Sequence, residues 1–231
     1  MKYIKRIFIF ILLIGILLVS FITYKGYNLY KEAISKINIE DKITQIQNDE
    51  NYITLDNVSK DFKNAIVSIE DHRFYKHNGF DFISFCRAML SNLKEGEVGQ
   101  GGSTISQQLA RNMYFTQEKN YSRKIAELFV VYNLEKNYSK DDILELYINT
   151  IYFGDGYYGI KEACNGYFNK EPDELDLYES TLLAGIPNAP SVYALSNHPD
   201  LAEQRRQHVL DAMVRTGYLS SEQAEVVRKV E

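Results

Sequence analysis

The feature that most limits what this chain can become is an uncharged, strongly apolar run from Ile7 to Tyr24, preceded by Lys2, Lys5 and Arg6. At about 1.5 Å per helical residue the run reaches roughly 27 Å, close to the thickness of a bilayer's hydrocarbon core. Val19-Ser20-Phe21-Ile22-Thr23-Tyr24 offers no small-x-small cleavage site. The segment is therefore read as an uncleaved anchor rather than a signal peptide. Its basic flank favours a cytoplasmic N-terminus, with Lys25, Lys31 and Lys36 pulling weakly the other way. The expected division is a tail at 1–6, a transmembrane anchor at 7–24, a polar stalk with partial helix at 25–50, and one extracytoplasmic domain over 51–231.

Beyond the anchor the apolar spacing is helical. Phe62, Ala65, Ile66 and Ile69 follow i, i+3, i+4, i+7, and Phe82, Phe85, Cys86, Met89, Leu90 and Leu93 continue that pattern behind Asp81 as N-cap. Ser139 is placed to cap a helix carrying Ile143, Leu144, Tyr147 and Ile148; others run through Ile160–Tyr167, from Leu175 to Gly185, and from near Asp200 and Ser220. Tyr52-Ile53-Thr54-Leu55 reads as a short strand. The fold class is mainly α, a helical globule with one N-terminal transmembrane helix.

Composition excludes several functions. A net charge of −5 argues against nucleic acid as a partner. Cys86 and Cys164 sit in apolar helical contexts and read as free buried thiols. No His/Cys cluster has metal-ligand spacing, so no metal site is assigned, and His72 and His77 read as structural. Neither a Walker loop nor a Gly-x-Ser-x-Gly elbow is present.

Three stretches carry candidate chemistry. In Ile69-Glu70-Asp71-His72-Arg73-Phe74-Tyr75-Lys76-His77-Asn78-Gly79-Phe80-Asp81, Glu70 directly follows the last apolar position of a helix. A carboxylate opening there into a cleft would have its pKa raised by partial burial and could act as a base; a solvated loop of locally paired charges is the alternative. Next, Gly96, Gly99, Gly101 and Gly102 precede Ser103, Thr104, Gln107 and Gln108. This is a loop feeding a helix start that favours phosphate, or else a plain hinge. Finally, residues 111–140 hold Arg111, Lys119, Arg123, Lys124, Lys136 and Lys140 against Glu118, Glu127 and Glu135 in an otherwise acidic chain. Val130, Val131 and Leu134 stand at i+3, i+4 and i+7 from Glu127, which places that carboxylate in an apolar stripe where it requires a partner. Arg123 and Lys124, one turn back, can reach it, either as a structural ion pair or as part of a site.

Together these segments resemble the peptidoglycan glycosyltransferases, the family 51 transglycosylases found in class A penicillin-binding proteins and in monofunctional enzymes. The resemblance covers roughly residues 52–218. It rests on Glu70-Asp71-x-x-Phe74-x-x-His77-x-Gly79-x-Asp81, Gly101-Gly102-Ser103-Thr104-Ile105-x-Gln107-Gln108, Arg123-Lys124-x-x-Glu127, Lys140-x-x-Ile143-Leu144-Glu145-x-Tyr147-Ile148-Asn149 and Leu183-Ala184-Gly185-Ile186-Pro187-Asn188-Ala189-Pro190-Ser191. It implies a lysozyme-like helical fold with a smaller, mobile, membrane-proximal jaw. It implies Glu70 as the catalytic base that deprotonates the acceptor 4-hydroxyl of lipid II, and Glu127 as the second catalytic glutamate, acting on the donor side near the departing undecaprenyl pyrophosphate. Phe74, Gly102, Ser103, Thr104, Gln107, Gln108 and Asn112 are the implied substrate contacts, and Arg111, Lys119, Arg123 and Lys124 the implied phosphate-holding groups. The implied partners are lipid II, the growing lipid-linked glycan strand, the bilayer and other cell-wall synthesis proteins. No cofactor is required, although Mg2+ or Mn2+ at the diphosphate fits the same chemistry.

The chain ends at Glu231, which leads to the expectation of a monofunctional enzyme, with a fragment of a bifunctional penicillin-binding protein as the alternative. A lysozyme-like muramidase and a non-catalytic membrane-tethered scaffold are the competing functions; a hydrolase of finished glycan has no diphosphate to hold.

Overall fold

The computed structural model describes residues 2–95, 102–116 and 120–229. Twelve α-helices are found among them: α1 (Lys2–Lys36), α2 (Ile39–Gln47), α3 (Lys60–Glu70), α4 (Phe82–Glu95), α5 (Ile105–Tyr114), α6 (Tyr121–Asn137), α7 (Lys140–Ile148), α8 (Ile160–Phe168), α9 (Leu177–Gly185), α10 (Pro190–Tyr193), α11 (Pro199–Thr216) and α12 (Ser221–Arg228). The described residues contain no β-strand, only an isolated antiparallel bridge between Tyr152 and Tyr158.

Local chemistry sets the helix ends. Reciprocal capping boxes open α5 (Thr104 with Gln107), α7 (Ser139 with Asp142), α9 (Asp176 with Glu179) and α12 (Ser220 with Gln223). Each occupies amide donors that a helix start leaves open, at about 1 kcal/mol apiece. Asp81 caps α4 as expected, accepting from the Ile83 and Ser84 amides at 3.0 and 3.2 Å. Two layers meet over one core: α3 lies against α9 and α11, while α5 is held between α6 and α7. Phe62, Ile66, Leu109, Leu134, Leu144, Tyr147, Leu183 and Val209 are buried where they meet. Cys86 and Cys164 are free thiols, the latter buried.

The strand expected at Tyr52–Leu55 does not form. Its backbone groups are taken by side chains of α7: Asn149 accepts from the Ile53 amide and donates to the Ile53 carbonyl, both at 2.9 Å, and Glu145 accepts from the Leu55 amide at 2.6 Å. No strand partner is needed once those groups are satisfied.

Residues 25–50 are likewise not a separate stalk. Helix α1 continues unbroken past Tyr24 to Lys36, and α2 follows, capped by Asn38 and burying Ile39 and Ile43. The last third of α1 packs on α6: the Tyr27 and Tyr30 rings lie 5.3 and 5.5 Å from that of Phe129, and Asn133 donates to the Tyr30 hydroxyl at 3.1 Å. Gly26 permits the approach, since a Cβ there would stand 2.6 Å from Ile125 and 2.8 Å from the Ser122 carbonyl oxygen. The remainder of α1 is apolar and exposed from Ile7 to Phe21, and this is the one described helix long and apolar enough to cross a membrane. Single-pass anchoring follows from that surface, which water would not tolerate.

Gly26→Leu is expected to force α1 off α6, at about 1–3 kcal/mol for an overpacked contact. Thermal unfolding in detergent micelles checks this; an unchanged midpoint would mean that the end of α1 is not part of the folded unit.

Candidate active site

Glu70 is the last residue of α3, so its carboxylate lies at the negative end of the helix dipole. Its Oε2 accepts a hydrogen bond of 2.6 Å from Gln108 Nε2, while Oε1 is buried with no hydrogen-bond partner among the described residues. Burial raises the pKa of this carboxyl, and Asp71 adds to the effect. Gln108, Arg205 and Arg111 act the other way and favour the charged form. The result is a carboxylate with one oxygen tethered and the other bare.

The neighbouring Asp71 performs a structural task. Its carboxylate contacts His77 Nε2 at 3.0 Å and accepts from the Ile105 amide, at the first turn of α5, at 3.1 Å. His77 uses its other nitrogen to accept from the Gly79 amide at 3.1 Å. Gly79 lies at φ +82°, where a Cβ would come within 2.2 Å of Val131 on α6, and its carbonyl accepts from the Thr104 hydroxyl at 2.6 Å. Asp81 pairs with Arg73 Nε at 3.0 Å. Asp71, His77 and Asp81 are close enough together to ligate an ion. Their donor and acceptor atoms are nevertheless committed to these internal bonds, so the cluster does not fit the divalent cation that the resemblance allows.

On α6, Glu127 is wholly buried and paired with Arg123, one turn back, and with Lys124 at 3.1 Å. The apolar stripe read from the sequence around Glu127 is thus realised as a buried carboxylate with two cations on its own helix. Lys124 also donates to Ser103 Oγ at 2.8 Å, which ties the end of the glycine-rich segment to this cluster. Burial pulls the Lys124 pKa down, with Glu127 opposing and Arg111 reinforcing. Arg111 therefore feels both halves of the site: it favours the charged form of Glu70 and repels the charge of Lys124. Its Nε is buried without a partner.

Several expected contacts are placed differently. Phe74 is fully buried, with the Lys140 ammonium 4.4 Å from its ring centre, and is a core residue rather than a substrate contact. Thr104 and Gln107 are buried and close the α5 capping box through Thr104 Oγ1 and Gln107 Oε1, while Gln107 Nε2 is buried with no hydrogen-bond partner among the described residues. Asn112 lines a separate pocket with Lys42, Asn51, Asn149 and Glu162. Gly102 packs near Ala88 and Phe85 on α4. Lys119, and the glycines at 96, 99 and 101, lie outside the described residues.

One residue escaped the sequence reading. Arg205 of α11 acts on Glu70, and its Nε is buried without a partner. Gly185 makes room for it: a Cβ there would meet Arg205 Cγ at 2.9 Å, so this glycine leaves space for the arginine stem rather than simply ending a helix, a relation that no spacing in the sequence signals.

Comparison with known proteins shows the family. A family profile described as Transglycosylase matches residues 39–214. The chain is 39% identical over 226 residues to the monofunctional glycosyltransferase of Staphylococcus haemolyticus, covering 95% of this chain and 82% of that one. It is 38% identical over 190 residues to the monofunctional glycosyltransferase of Staphylococcus aureus, covering 79% and 70%. It is also 43% identical over 172 residues to penicillin-binding protein 1F of Bacillus subtilis, covering 74% of this chain but 24% of that protein. The chain thus spans about a quarter of the penicillin-binding protein it matches.

The raised pKa of Glu70 has a consequence for stability. The folded state holds this proton more tightly than the unfolded chain, so its burial costs stability increasingly as pH rises above the ordinary glutamate value of 4.5. Glu70→Gln removes that cost. Its melting temperature should exceed that of wild type at neutral pH, with the gap closing as pH falls through the ordinary carboxylate range. Melting curves across pH would expose a gap that is absent or reversed.

Proposed function

This chain belongs to the transglycosylase family, and on that premise we propose that it polymerises lipid II into peptidoglycan glycan strands. Glu70 takes the proton of the acceptor sugar's 4-hydroxyl, whose oxygen attacks C1 of the lipid-linked growing strand. The C1–O bond to undecaprenyl pyrophosphate breaks with inversion, leaving a β-1,4 link and a free diphosphate. The observation that carries this reading is the pairing of a carboxylate having one bare oxygen with a cluster of cations one helix away, joined through Arg111.

Each part has a physical task. A hydroxyl nucleophile needs a base, and the cations Arg111 and Arg205 keep Glu70 usable as one despite its burial. A diphosphate leaving group needs positive charge more than a proton. Arg111, Arg123 and Lys124 supply that charge, with Glu127 holding the last two in place from below. Ser103, tied to Lys124, borders the phosphate side, and Lys119 and Gly102 keep the substrate-binding roles that the family resemblance implies. A divalent cation, where one takes part, would arrive on the diphosphate and share its charge with these groups.

The membrane completes the reading. With α1 as anchor and its N-terminus cytoplasmic, the catalytic domain faces the outside of the cell membrane, where a polyprenyl-linked substrate is dissolved. The rings of Phe80 and Phe85 lie 5.7 Å apart beside exposed Phe82 and Ile83. An apolar patch of this kind supports a jaw, built around the start of α4, that rests on the bilayer. Other cell-wall synthesis proteins are the natural neighbours of such an enzyme. A muramidase would share the cleft glutamate but has no use for the cations around Glu127.

Incubation with purified lipid II tests the proposal. Wild type should lengthen glycan, Glu70→Gln should lose roughly 10²–10⁴-fold in rate as expected for a lost general base, and Arg111→Ala should weaken binding of the lipid substrate more than it lowers the melting temperature. Inert lipid II together with shortening of preformed glycan would establish the hydrolase instead.

A further inference from the structure

We propose that Tyr147 is a positioning residue that fixes which end of the Gln108 side chain faces Glu70, and that this polarity is what makes Glu70 a base rather than an acid. The inference rests on the reading of Glu70 given above and deepens it.

A carboxamide has one donor end and one acceptor end of nearly equal shape, and rotating it exchanges them. In the structure the donor end meets Glu70: Gln108 Nε2 lies 2.6 Å from Oε2. The acceptor end meets Tyr147, whose hydroxyl donates to Gln108 Oε1 at 3.3 Å. Tyr147 lies on α7, Gln108 on α5 and Glu70 at the end of α3, so the chain of three groups crosses three helices.

Rotation of the amide would bring two acceptors together at Glu70 unless the carboxyl took up a proton. It would also leave the Tyr147 hydroxyl proton without an acceptor, because this hydroxyl makes no other hydrogen bond among the described residues. Tyr147 is fully buried, so no solvent is at hand to accept that proton. Burial also pushes the phenol pKa well above its ordinary value, and the hydroxyl remains a donor throughout the working pH range. Tyr147 therefore selects the orientation in which Gln108 donates to Glu70, and a donated hydrogen bond favours the carboxylate. The charged groups around Glu70 do not duplicate this control. Arg111 on α5 and Arg205 on α11 favour the charged form and Asp71 opposes it, but Gln108 makes the one hydrogen bond that Glu70 receives among the described residues. A glutamate that had to begin protonated, as in a glycan-cleaving enzyme, would need the opposite wiring.

Tyr147→Phe keeps the buried ring and removes the hydroxyl. With lipid II as substrate, kcat should fall roughly tenfold, a fraction of a full general-base contribution, while KM changes little. The acid limb of the kcat profile should move to higher pH, because an amide free to rotate stabilises the carboxylate less. In a Gln108→Ala background the same substitution should add nothing to that movement. A reading independent of polymerisation is the titration midpoint of Glu70 followed by carbon-13 NMR of labelled glutamate, which should rise in Tyr147→Phe. An unmoved midpoint overturns the proposal even if the protein proves not to polymerise, and so does an equal effect with or without Gln108. If wild type leaves lipid II untouched while the midpoint still rises, the function proposed above fails but the role of Tyr147 stands.

Discussion

The buried carboxylate of Asp71 is the point on which the site depends. It contacts His77 at 3.0 Å and accepts from the first-turn amide of α5 at 3.1 Å. The end of α3 and the start of α5 are therefore bound to one side chain. Glu70 is the residue before Asp71, and Gln108 sits one turn into α5. The 2.6 Å contact between them is only as well defined as that clamp. Gly79 and Thr104 add a second strand to the tie through a carbonyl and a hydroxyl 2.6 Å apart. The loop residues of the first motif are thus largely scaffold: they hold the carboxylate of Glu70 against the amide of Gln108. Such support is costly to lose, because each buried polar atom left unpaired forfeits its full desolvation energy.

The two glutamates differ by environment more than by position. Glu127 lies wholly inside the protein but has two cations within reach on its own helix, so its charge is compensated where it stands. Among the described residues Glu70 has no ion-pair partner in contact; its cations, Arg111 and Arg205, act at a distance, and its Oε1 accepts no hydrogen bond. A compensated carboxylate holds its neighbours in place, whereas an uncompensated one is available for proton transfer. On the function proposed above, the same residue type holds cations in place on α6 and moves a proton at the end of α3.

How much of this could be read from the letters depended on whether the cause was local. Capping boxes are local, and Thr104–Gln107 and Ser220–Gln223 were legible from a four-residue spacing that the structure reproduces. Burial of Glu127 was legible because its apolar neighbours recur at helical intervals. The failures all involve distant partners. Ile53 lost its strand to the side chain of Asn149, far along the chain. Phe74, Thr104 and Gln107 carry a functional motif's spelling but point into the core, and only packing reveals which members of a motif are support. Arg205 comes from a helix that the sequence reading used for nothing, and the space left for it by Gly185 is visible only in three dimensions.

The supposed stalk was the largest misreading, and its correction bears on how the site meets its substrate. A polar, lysine-rich segment after an anchor reads as a tether, and a tether would let the domain sit at any height. Here the helix carries on from the apolar run straight into contact with α6, and Gly26 meets Ser122 and Ile125 just two residues past Tyr24. At about 1.5 Å per residue that contact lies roughly 3 Å beyond the end of the apolar run. Arg123 and Lys124 fall between the two contacted residues in sequence. With α1 in a bilayer, these cations would be held near the depth of the phosphate groups of a membrane-dissolved lipid, where their attraction for a diphosphate is greatest. On the function proposed above, the anchor becomes part of the catalytic framework, since the long apolar helix is packed on the helix that carries Glu127.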